Sequence, residues 1–314
     1  MPDGRALPSQ EALRAAAETG GEEAWRRYRF IVQIAIYPTL MLGPMLLLWA
    51  LLERGVPLLW APYAAVLAGA PLVLIAERLL PYRSEWRPSL AEFRDDGLYM
   101  FAVQILLPLG LAWLTALAAQ SWLSGVGFNL GLWPTLWPLW AQLAAKIVIG
   151  DFFRYWLHRA AHSWPPLWRL HTVHHAPEKL YTTSVFRFHP IEKVLQFLCD
   201  SLPFILVGVG PELLGYYFVF YAMSGLFQHS NCDIRLGWLN YLVSGPEVHR
   251  WHHSRKIVES NANYAHSFVV WDLILGTYYR PRGETVDKLG LLNRGYPSGF
   301  WRQLAAPFQP WLRP

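Results

Sequence analysis

Histidines are concentrated in one part of this chain of 314 residues. All 11 lie between His158 and His266, and eight of them form three short motifs. The motifs read HRAAH at 158–162, HTVHH at 171–175 and HRWHH at 249–253. Residues three or four apart lie on one face of a helix, so each motif can direct two imidazoles at one point. Because imidazole binds iron, zinc, copper and nickel, the motifs predict metal binding.

Two metal ions are the simplest interpretation of the motifs, since eight ligands exceed what one ion needs. The doubled histidine of each HxxHH motif turns a third ring about 100° around a helix, toward a second ion or the far side of the first. His229, in FQHSN, is predicted as a ninth ligand, whereas His189, in RFHP, is either a ligand or a residue around the site. We expect His266 to be structural.

Three acidic residues near the motifs could orient the imidazole rings by accepting hydrogen bonds from their N–H groups. They are Asp151, Glu247 and Asp272. The alternative for each of them is a helix cap or a surface charge.

The composition is that of a membrane protein. Apolar residues make up 54% of the chain and charged residues 16%, against roughly 25% charged in average soluble proteins. A helix needs about 20 apolar residues to cross a bilayer, and the long uncharged runs predict about four transmembrane helices in two hairpins. The predicted spans are 30–52, 55–76, 98–120 and 130–150, with a turn near 125–129.

Arginines flank the predicted spans unevenly, which predicts the orientation. Residues 1–29 and the loop between the second and third spans are rich in arginine, whereas the opposite loops carry only Arg54. We therefore expect a cytoplasmic N-terminal arm over 1–29 and a cytoplasmic C-terminal half, at a bacterial inner membrane or an ER-type membrane. The net charge of +5 then flanks the membrane, and no nucleic-acid partner is expected.

The C-terminal half is predicted as one catalytic region followed by a tail. The His-rich region covers 151–281 and includes an apolar hairpin over 201–228, too short for two crossings and expected to dip into the membrane. A buried pair of soluble helices is the alternative for this hairpin. The aromatic and basic residues of 282–314 predict a segment that lies at the membrane interface.

The three motifs, in this order and with these gaps, resemble the fatty acid hydroxylase/sterol desaturase superfamily of integral-membrane, non-haem di-iron oxygenases. The gaps and the RFHP element favour its sterol-desaturase-like branch. Five segments carry the resemblance: DFFRYWLHRAAH at 151–162, LWRLHTVHHAPE at 167–178, RFHPIE at 187–192, QHSN at 228–231 and WDLILGTYYRP at 271–281.

The resemblance implies an all-α membrane protein with four transmembrane helices beneath a helical cytosolic cap that carries the di-metal site. It implies O2-dependent hydroxylation or desaturation of a lipid C–H bond at two Fe ions. The substrate stays open among sterols, fatty acyl or sphingoid chains, alkylglycerol ethers and carotenoids. The implied ligands are His158, His162, His171, His174, His175, His229, His249, His252 and His253.

An external electron donor is expected, because the chain carries no dinucleotide fingerprint, and Cys199 and Cys232 match no iron–sulfur or haem spacing. A ferredoxin or a cytochrome b5-like protein with its reductase would serve, and the basic cytoplasmic face would attract an acidic donor.

Two other classes of protein are the alternatives. A membrane metal transporter or metal-binding protein would place ionisable ligands near the bilayer midplane, but the predicted spans contain no His, Asp or Glu. A membrane zinc hydrolase needs three protein ligands and an open position, and it has no use for nine.

Overall fold

The computed structural model describes residues 10–122 and 130–309. Helix makes up 67% of the structure and the described residues contain no strand, which confirms the all-α fold with a histidine-rich helical region. In these ranges the α-helices are α1 Gln10–Glu53, α2 Ala61–Leu79, α3 Leu90–Tyr99, α4 Leu107–Trp122, α5 Leu139–Ser163, α6 Pro165–His175, α7 Pro190–Asp200, α8 Leu202–Val207, α9 Pro211–Gln228, α10 Pro246–His252, α11 Ile257–Ser260, α12 Val270–Ile274 and α13 Phe300–Ala305.

Three helical segments of the described chain are long and apolar enough to cross a membrane: Gln33–Glu53, Ala61–Leu79 and Leu90–Thr115. They overlap the first three predicted spans. The first belongs to α1, which already begins at Gln10, so most of the segment predicted as a separate arm is continuous with the first helix. The direction in which these helices cross stays a prediction, and the turn at 125–129 lies outside the described residues.

The fourth predicted span, 130–150, differs from the helix that the structure contains. The helix α5 begins only at Leu139. Pro134 and Pro138 explain the late start, because proline lacks the N–H that a helix interior needs and clashes with the preceding turn. From there α5 runs on to Ser163, well past the predicted end, and it is not among the three apolar spans of the described residues. Its membrane crossing stays a prediction.

The helices α1, α2 and α9 pack together around a dry core that contains Leu48 and Val73, both fully buried. Gly69 of α2 lies at the closest approach. A Cβ atom at this position would stand 2.6 Å from Cγ of Pro44 in α1 and 2.8 Å from the sulfur of Met223 in α9. The three helices can therefore meet at this distance only because Gly69 lacks a side chain.

The helices α3 and α4 are two parts of one long helix joined by a π-helical segment, Met100–Leu106. The helix begins with a capping box, in which Ser89 and Glu92 satisfy each other's backbone N–H groups. Its π segment ends just before Pro108, which cannot donate a hydrogen bond to the carbonyl group of Gln104 four residues earlier. The proline therefore accounts for a change of helical register at this point.

The apolar stretch 201–228 contains α8 and α9, separated at Gly208, whose φ of 99° ends the first helix. The dip of this stretch into the membrane stays a prediction. In the predicted tail 282–314, Phe300 is buried against the ring of Tyr99, with 4.7 Å between centroids. Residues 310–314 lie outside the described residues, and the interfacial placement of the tail stays a prediction.

Candidate metal centre

The nine histidines predicted as ligands come from four parts of the fold. The C-terminal half of α5 carries two of them, and the last two turns of α6 carry three. His229 directly follows α9. The short helix α10 carries His249 and His252, and His253 follows it. These helix ends meet on the side of α5 that lies beyond the predicted fourth span.

The nine imidazoles form two adjacent groups, and within each group the ligand atoms all lie within 4.8 Å of one another. The rings of His175 and His253, one from each group, stack with 4.5 Å between centroids. The first group contains His158, His162, His171, His175 and His252. The second contains His174, His229, His249 and His253.

The spacing of the histidines within each motif matches their division between the two groups. Histidines four residues apart share a group, as His171 and His175 do in the first and His249 and His253 do in the second. The histidine at the fourth position of each HxxHH motif, His174 or His252, belongs to the other group. His174 and His175, although neighbours in sequence, therefore serve different groups.

The Nε2 atoms of neighbouring rings face one another. The Nε2–Nε2 distances include 3.0 Å between His158 and His171, 3.1 Å between His175 and His252, and 2.9 Å between His249 and His253. The opposite nitrogen, Nδ1, contacts an oxygen atom in six of the rings. These oxygens belong to Tyr264, Asn261, Glu192, Arg187, Gly225 and Ala262.

These contacts fix the tautomer of the six rings. An oxygen acceptor beside Nδ1 places the proton there, so that Nε2 carries only a lone pair. Lone pairs that face each other at about 3 Å in a buried site repel, and a cation between them removes the repulsion. A donor set made only of imidazole nitrogens suits transition metals rather than magnesium or calcium, which prefer oxygen.

The buried imidazoles are held neutral. Burial lowers the pKa of His229 and of His252 to about 3. Burial, with help from neighbouring imidazoles, also lowers the pKa of His158, His162, His174, His175, His249 and His253 well below 6.5. A neutral imidazole is the form that binds a metal ion.

Glu192 holds one of the rings and was missed by the sequence analysis. Its Oε1 accepts a hydrogen bond of 2.8 Å from Nδ1 of His171, and the residue is buried in the first turn of α7. The available signal was its place in RFHPIE, but nothing in the spacing shows that α7 packs beside α6. Nearby, the carbonyl of Arg187 accepts from His174, and its side chain forms a buried ion pair with Asp96 of α3.

The predicted acidic partners bind backbone or side chains other than the nine rings. Asp272 accepts from the amides of Tyr264 and Ala265, and so fixes the loop whose Tyr264 carbonyl receives the His158 proton. Asp151 accepts from the amides of Ser267 and Phe268. Glu247 accepts from Asn240 and Arg280 among others.

The two remaining histidines lie outside both groups. His189 caps α7, where its Nδ1 accepts from the amide of Ile191 at 3.2 Å. His266 stacks on the ring of Tyr221, with 4.0 Å between centroids. The described residues therefore bring together the nine predicted ligands and leave these two apart.

A known protein family matches the chain over the region that carries the nine histidines. The sequence profile named fatty acid hydroxylase matches residues 143–277, a range that holds all nine histidines. The ornithine lipid hydroxylase of Rhizobium tropici is 33% identical over 248 residues, which are 77% of this chain and 74% of that protein. This chain belongs to the fatty acid hydroxylase family.

More distant relatives within the family oxidise other lipids, according to their names. The methylsterol monooxygenase erg25B of Aspergillus fumigatus is 27% identical over 215 residues, 66% of this chain and 70% of that protein. The alkylglycerol monooxygenase of Xenopus tropicalis is 28% identical over 154 residues, 49% of this chain and 33% of that protein. No solved structure matches the chain. The predicted family is confirmed. The names of its members support the prediction that this protein is an oxidoreductase that acts on lipids, associates with the membrane and uses a metal.

Proposed function

We propose that this protein is a membrane monooxygenase that hydroxylates a lipid C–H bond at a di-iron centre. The two histidine groups would each hold one ion, through five and four imidazoles. When bound, the irons would supply O2 activation and the oxidation of the C–H bond. The observation that carries the proposal is the convergence of Nε2 lone pairs whose Nδ1 protons are donated outward.

The chain's own residues would position the rings and exclude water. Six oxygen acceptors hold Nδ1–H groups, which fixes both the tautomer and the orientation of each ring. Aromatic side chains cover the groups: His174 stacks on Phe188 with 4.2 Å between centroids, and the ring of Trp168 lies 5.0 Å from that of His162. A dry, rigid surrounding of this kind favours oxidation of the bound lipid over side reactions with water.

The lipid would reach the centre from the membrane along α5, which runs from the predicted fourth span to the first histidine pair. The relatives of this protein are named for hydroxylase and monooxygenase activities, so we favour hydroxylation over desaturation. Ornithine lipid is the first substrate to test, because the similarity to the ornithine lipid hydroxylase covers most of both chains. Sterol-like lipids and alkylglycerol lipids are the second and third substrates to test.

Electrons would come from a separate protein, a ferredoxin or a cytochrome b5-like protein with its reductase. The catalytic region would face the cytoplasm, in a multi-pass protein, where such donors and their nicotinamide reductants are found. The basic residues of that face would speed the approach of an acidic donor.

Metal analysis with three variants tests the centre. We expect two irons per chain in the wild-type protein purified in detergent, with His174→Ala and His252→Ala each losing at least one, since they lie in different groups. His266→Ala, outside both groups, is the matched control and should keep two. A single zinc that survives both substitutions would overturn the oxygenase proposal and favour the hydrolase. Consumption of O2 with ornithine lipid and a ferredoxin system then tests the reaction.

A further inference from the structure

A second polar cluster lies buried between α5, α7 and α9, outside the two histidine groups and joined to His171 through Glu192. It consists of Lys146, Arg154, Lys193, Gln196, Asp200 and Tyr217. Three of its polar atoms have no hydrogen-bond partner in the described residues: Nη1 of Arg154, Oε1 of Gln196 and the hydroxyl of Tyr217. Arg154 is 8% exposed, Gln196 3% and Tyr217 6%, so bulk water does not satisfy these atoms. Buried polar groups are normally paired, and three unpaired atoms in one place indicate a missing partner.

The cations Lys146, Arg154 and Lys193 lie together beside the carboxylate of Asp200. Asp200 approaches Nε of Arg154 at 3.8 Å, and its backbone carbonyl accepts from the fully buried Lys146 at 2.6 Å. The half-buried Lys193 forms no ion pair with a described residue, and its ammonium lies 5.4 Å from the ring centroid of Tyr221. The guanidinium of Arg154 lies 5.6 Å from the same ring.

The protein engages the other nearby carboxylates, Asp151 and Glu192, through one oxygen each, and Oδ1 of Asp151 and Oε2 of Glu192 have no hydrogen-bond partner in the described residues. Asp151 accepts from two backbone amides, and Glu192 accepts from His171 and Gln196. Burial and the neighbouring Arg154 lower the pKa of Lys193 to about 8, although Asp200 and Glu192 act in the opposite direction.

With the predicted fourth span, 130–150, crossing the membrane, the cluster would lie at the depth of lipid head groups. Arg154 is four residues beyond the predicted fourth span, or about 6 Å along the helix axis. The head-group layer extends roughly 5–8 Å beyond the hydrocarbon on each side of a bilayer. Arg154 also precedes His158 by four residues, so both point from the same face of α5.

We propose that this cluster binds the head group of the lipid substrate, through a carboxylate or phosphate held by Arg154, Lys193 and Tyr217. The unpaired oxygen of Gln196 would accept from an N–H or O–H group of the same head group. The inference rests on the proposed lipid oxidation, because it names the class of lipid that would reach the histidine groups. It predicts a preference for lipids with an anionic group, such as ornithine lipid with its free carboxylate.

Binding without turnover tests the proposal. The protein in neutral detergent micelles is titrated with ornithine lipid and with its methyl ester, which lacks the anionic charge, and binding is followed by native mass spectrometry. We expect the ester to bind about tenfold more weakly, because it loses one charge-assisted hydrogen bond. Lys193→Gln and Arg154→Gln should weaken the binding of ornithine lipid by a similar factor and leave the affinity for the ester unchanged.

The control variant is Arg235→Gln, because the Arg235 side chain is 68% exposed and pairs with Asp233, which is not part of the cluster. Lys193→Gln breaks no hydrogen bond within the described protein, so it stays informative even if Arg154→Gln fails to fold. Equal binding of the two lipids, or an unchanged affinity in Lys193→Gln, would overturn the proposal and leave ordered water as the partner of these atoms.

A competition arm separates a lipid site from a site for free anions. Inorganic phosphate at millimolar concentration should not displace ornithine lipid, and displacement would overturn the assignment to a lipid head group. Iron content and O2 consumption are measured separately. Failure of head-group binding with an intact iron centre would therefore be distinguished from failure of the proposed oxidation.

Discussion

At the scale of single residues, the proton on Nδ1 decides what each imidazole can do. Backbone carbonyls are the acceptors for His158, His174, His229 and His252, and within the described part of the chain only His171 donates to a carboxylate, that of Glu192. A carboxylate acceptor makes the ring more electron-rich than a carbonyl does, and so strengthens its bond to a cation. His171 is therefore the ring whose surroundings are most open to a test by substitution.

Replacement of Glu192 should weaken metal binding without removing a ligand. We expect Glu192→Leu to lower iron affinity by 10- to 100-fold, a typical cost of losing a partner behind a ligand. The measurement is iron retained per chain after dialysis against graded chelator concentrations. Glu192→Gln, which keeps an oxygen acceptor beside His171, is the matched control and should retain most of the affinity. Equal retention in Glu192→Leu and wild type would show that the contact does not support the site.

The metal-free protein should lose stability in acid. The folded-state pKa values of His229 and His252 are about 3, against an ordinary value of about 6.5. Between these values the unfolded chain binds protons that the folded chain does not, so the free energy of unfolding falls as pH drops through about 6.5 and continues to fall toward about 3. Thermal melting of chelator-treated protein over this pH range is the measurement.

The iron-loaded protein is the comparison for the acid series. Because bound metal competes with protons for the same nitrogens, its melting temperature should begin to fall at a lower pH. A melting temperature of the metal-free protein that is constant or rises on acidification would contradict the assignment of buried, neutral imidazoles.

At the scale of elements, the close approach of α1, α2 and α9 gives a prediction on packing. Gly69→Ala should lower the melting temperature in detergent, by a destabilisation of roughly 1–3 kcal/mol, because the added methyl group collides with Pro44 and Met223. Gly43→Ala is the matched control, since it lies in α1 and a Cβ there has no atom within 4 Å. It should be neutral or stabilising, because alanine favours helix over glycine. Equal effects of the two substitutions would contradict the close contact.

Hydropathy and spacing predicted a large part of the elements. The three apolar segments and the histidine motifs follow from local composition, which a single sequence displays directly. The start of α5 could have been moved to Leu139 from Pro134 and Pro138 alone. The π-helical segment Met100–Leu106 could not be foreseen, because hydropathy does not report hydrogen-bond register.

Some features of the site are likewise predictable from the local sequence, whereas others depend on tertiary packing. That nine histidines would gather was predictable from their spacing, whereas their division into five and four depends on how α6 and α10 face each other. The contact of Glu192 with His171 depends on the packing of α7 beside α6, and no local pattern encodes it. Asp151 and Asp272 are close to the motifs in sequence, yet they bind loop amides that lead to the site.

At the scale of the whole molecule, the predicted orientation can be tested from both sides of a membrane. In a background without Cys199 and Cys232, we expect a membrane-impermeant maleimide to label Arg54→Cys in intact cells. Glu85→Cys, in the loop between the second and third segments, should react only after the cells are permeabilised. Both positions are exposed, so accessibility within the protein does not separate them.

The reverse pattern of labelling would place the histidine groups on the outer side of the membrane. Cytoplasmic ferredoxins could then not reach the centre, and the proposed source of electrons would be wrong. Labelling of both positions in intact cells would indicate that α2 does not cross.

The division of neighbouring histidines between the two groups has a mechanical consequence. One peptide bond joins His174 to His175, and another joins His252 to His253, and each joins a member of one group to a member of the other. Adjacent Cα atoms are held about 3.8 Å apart by covalent geometry. The separation of the two groups is therefore limited by two covalent links, whose Cα–Cα distances do not change with thermal motion or bilayer thickness. A shift of the surrounding helices would therefore leave these two Cα–Cα distances unchanged.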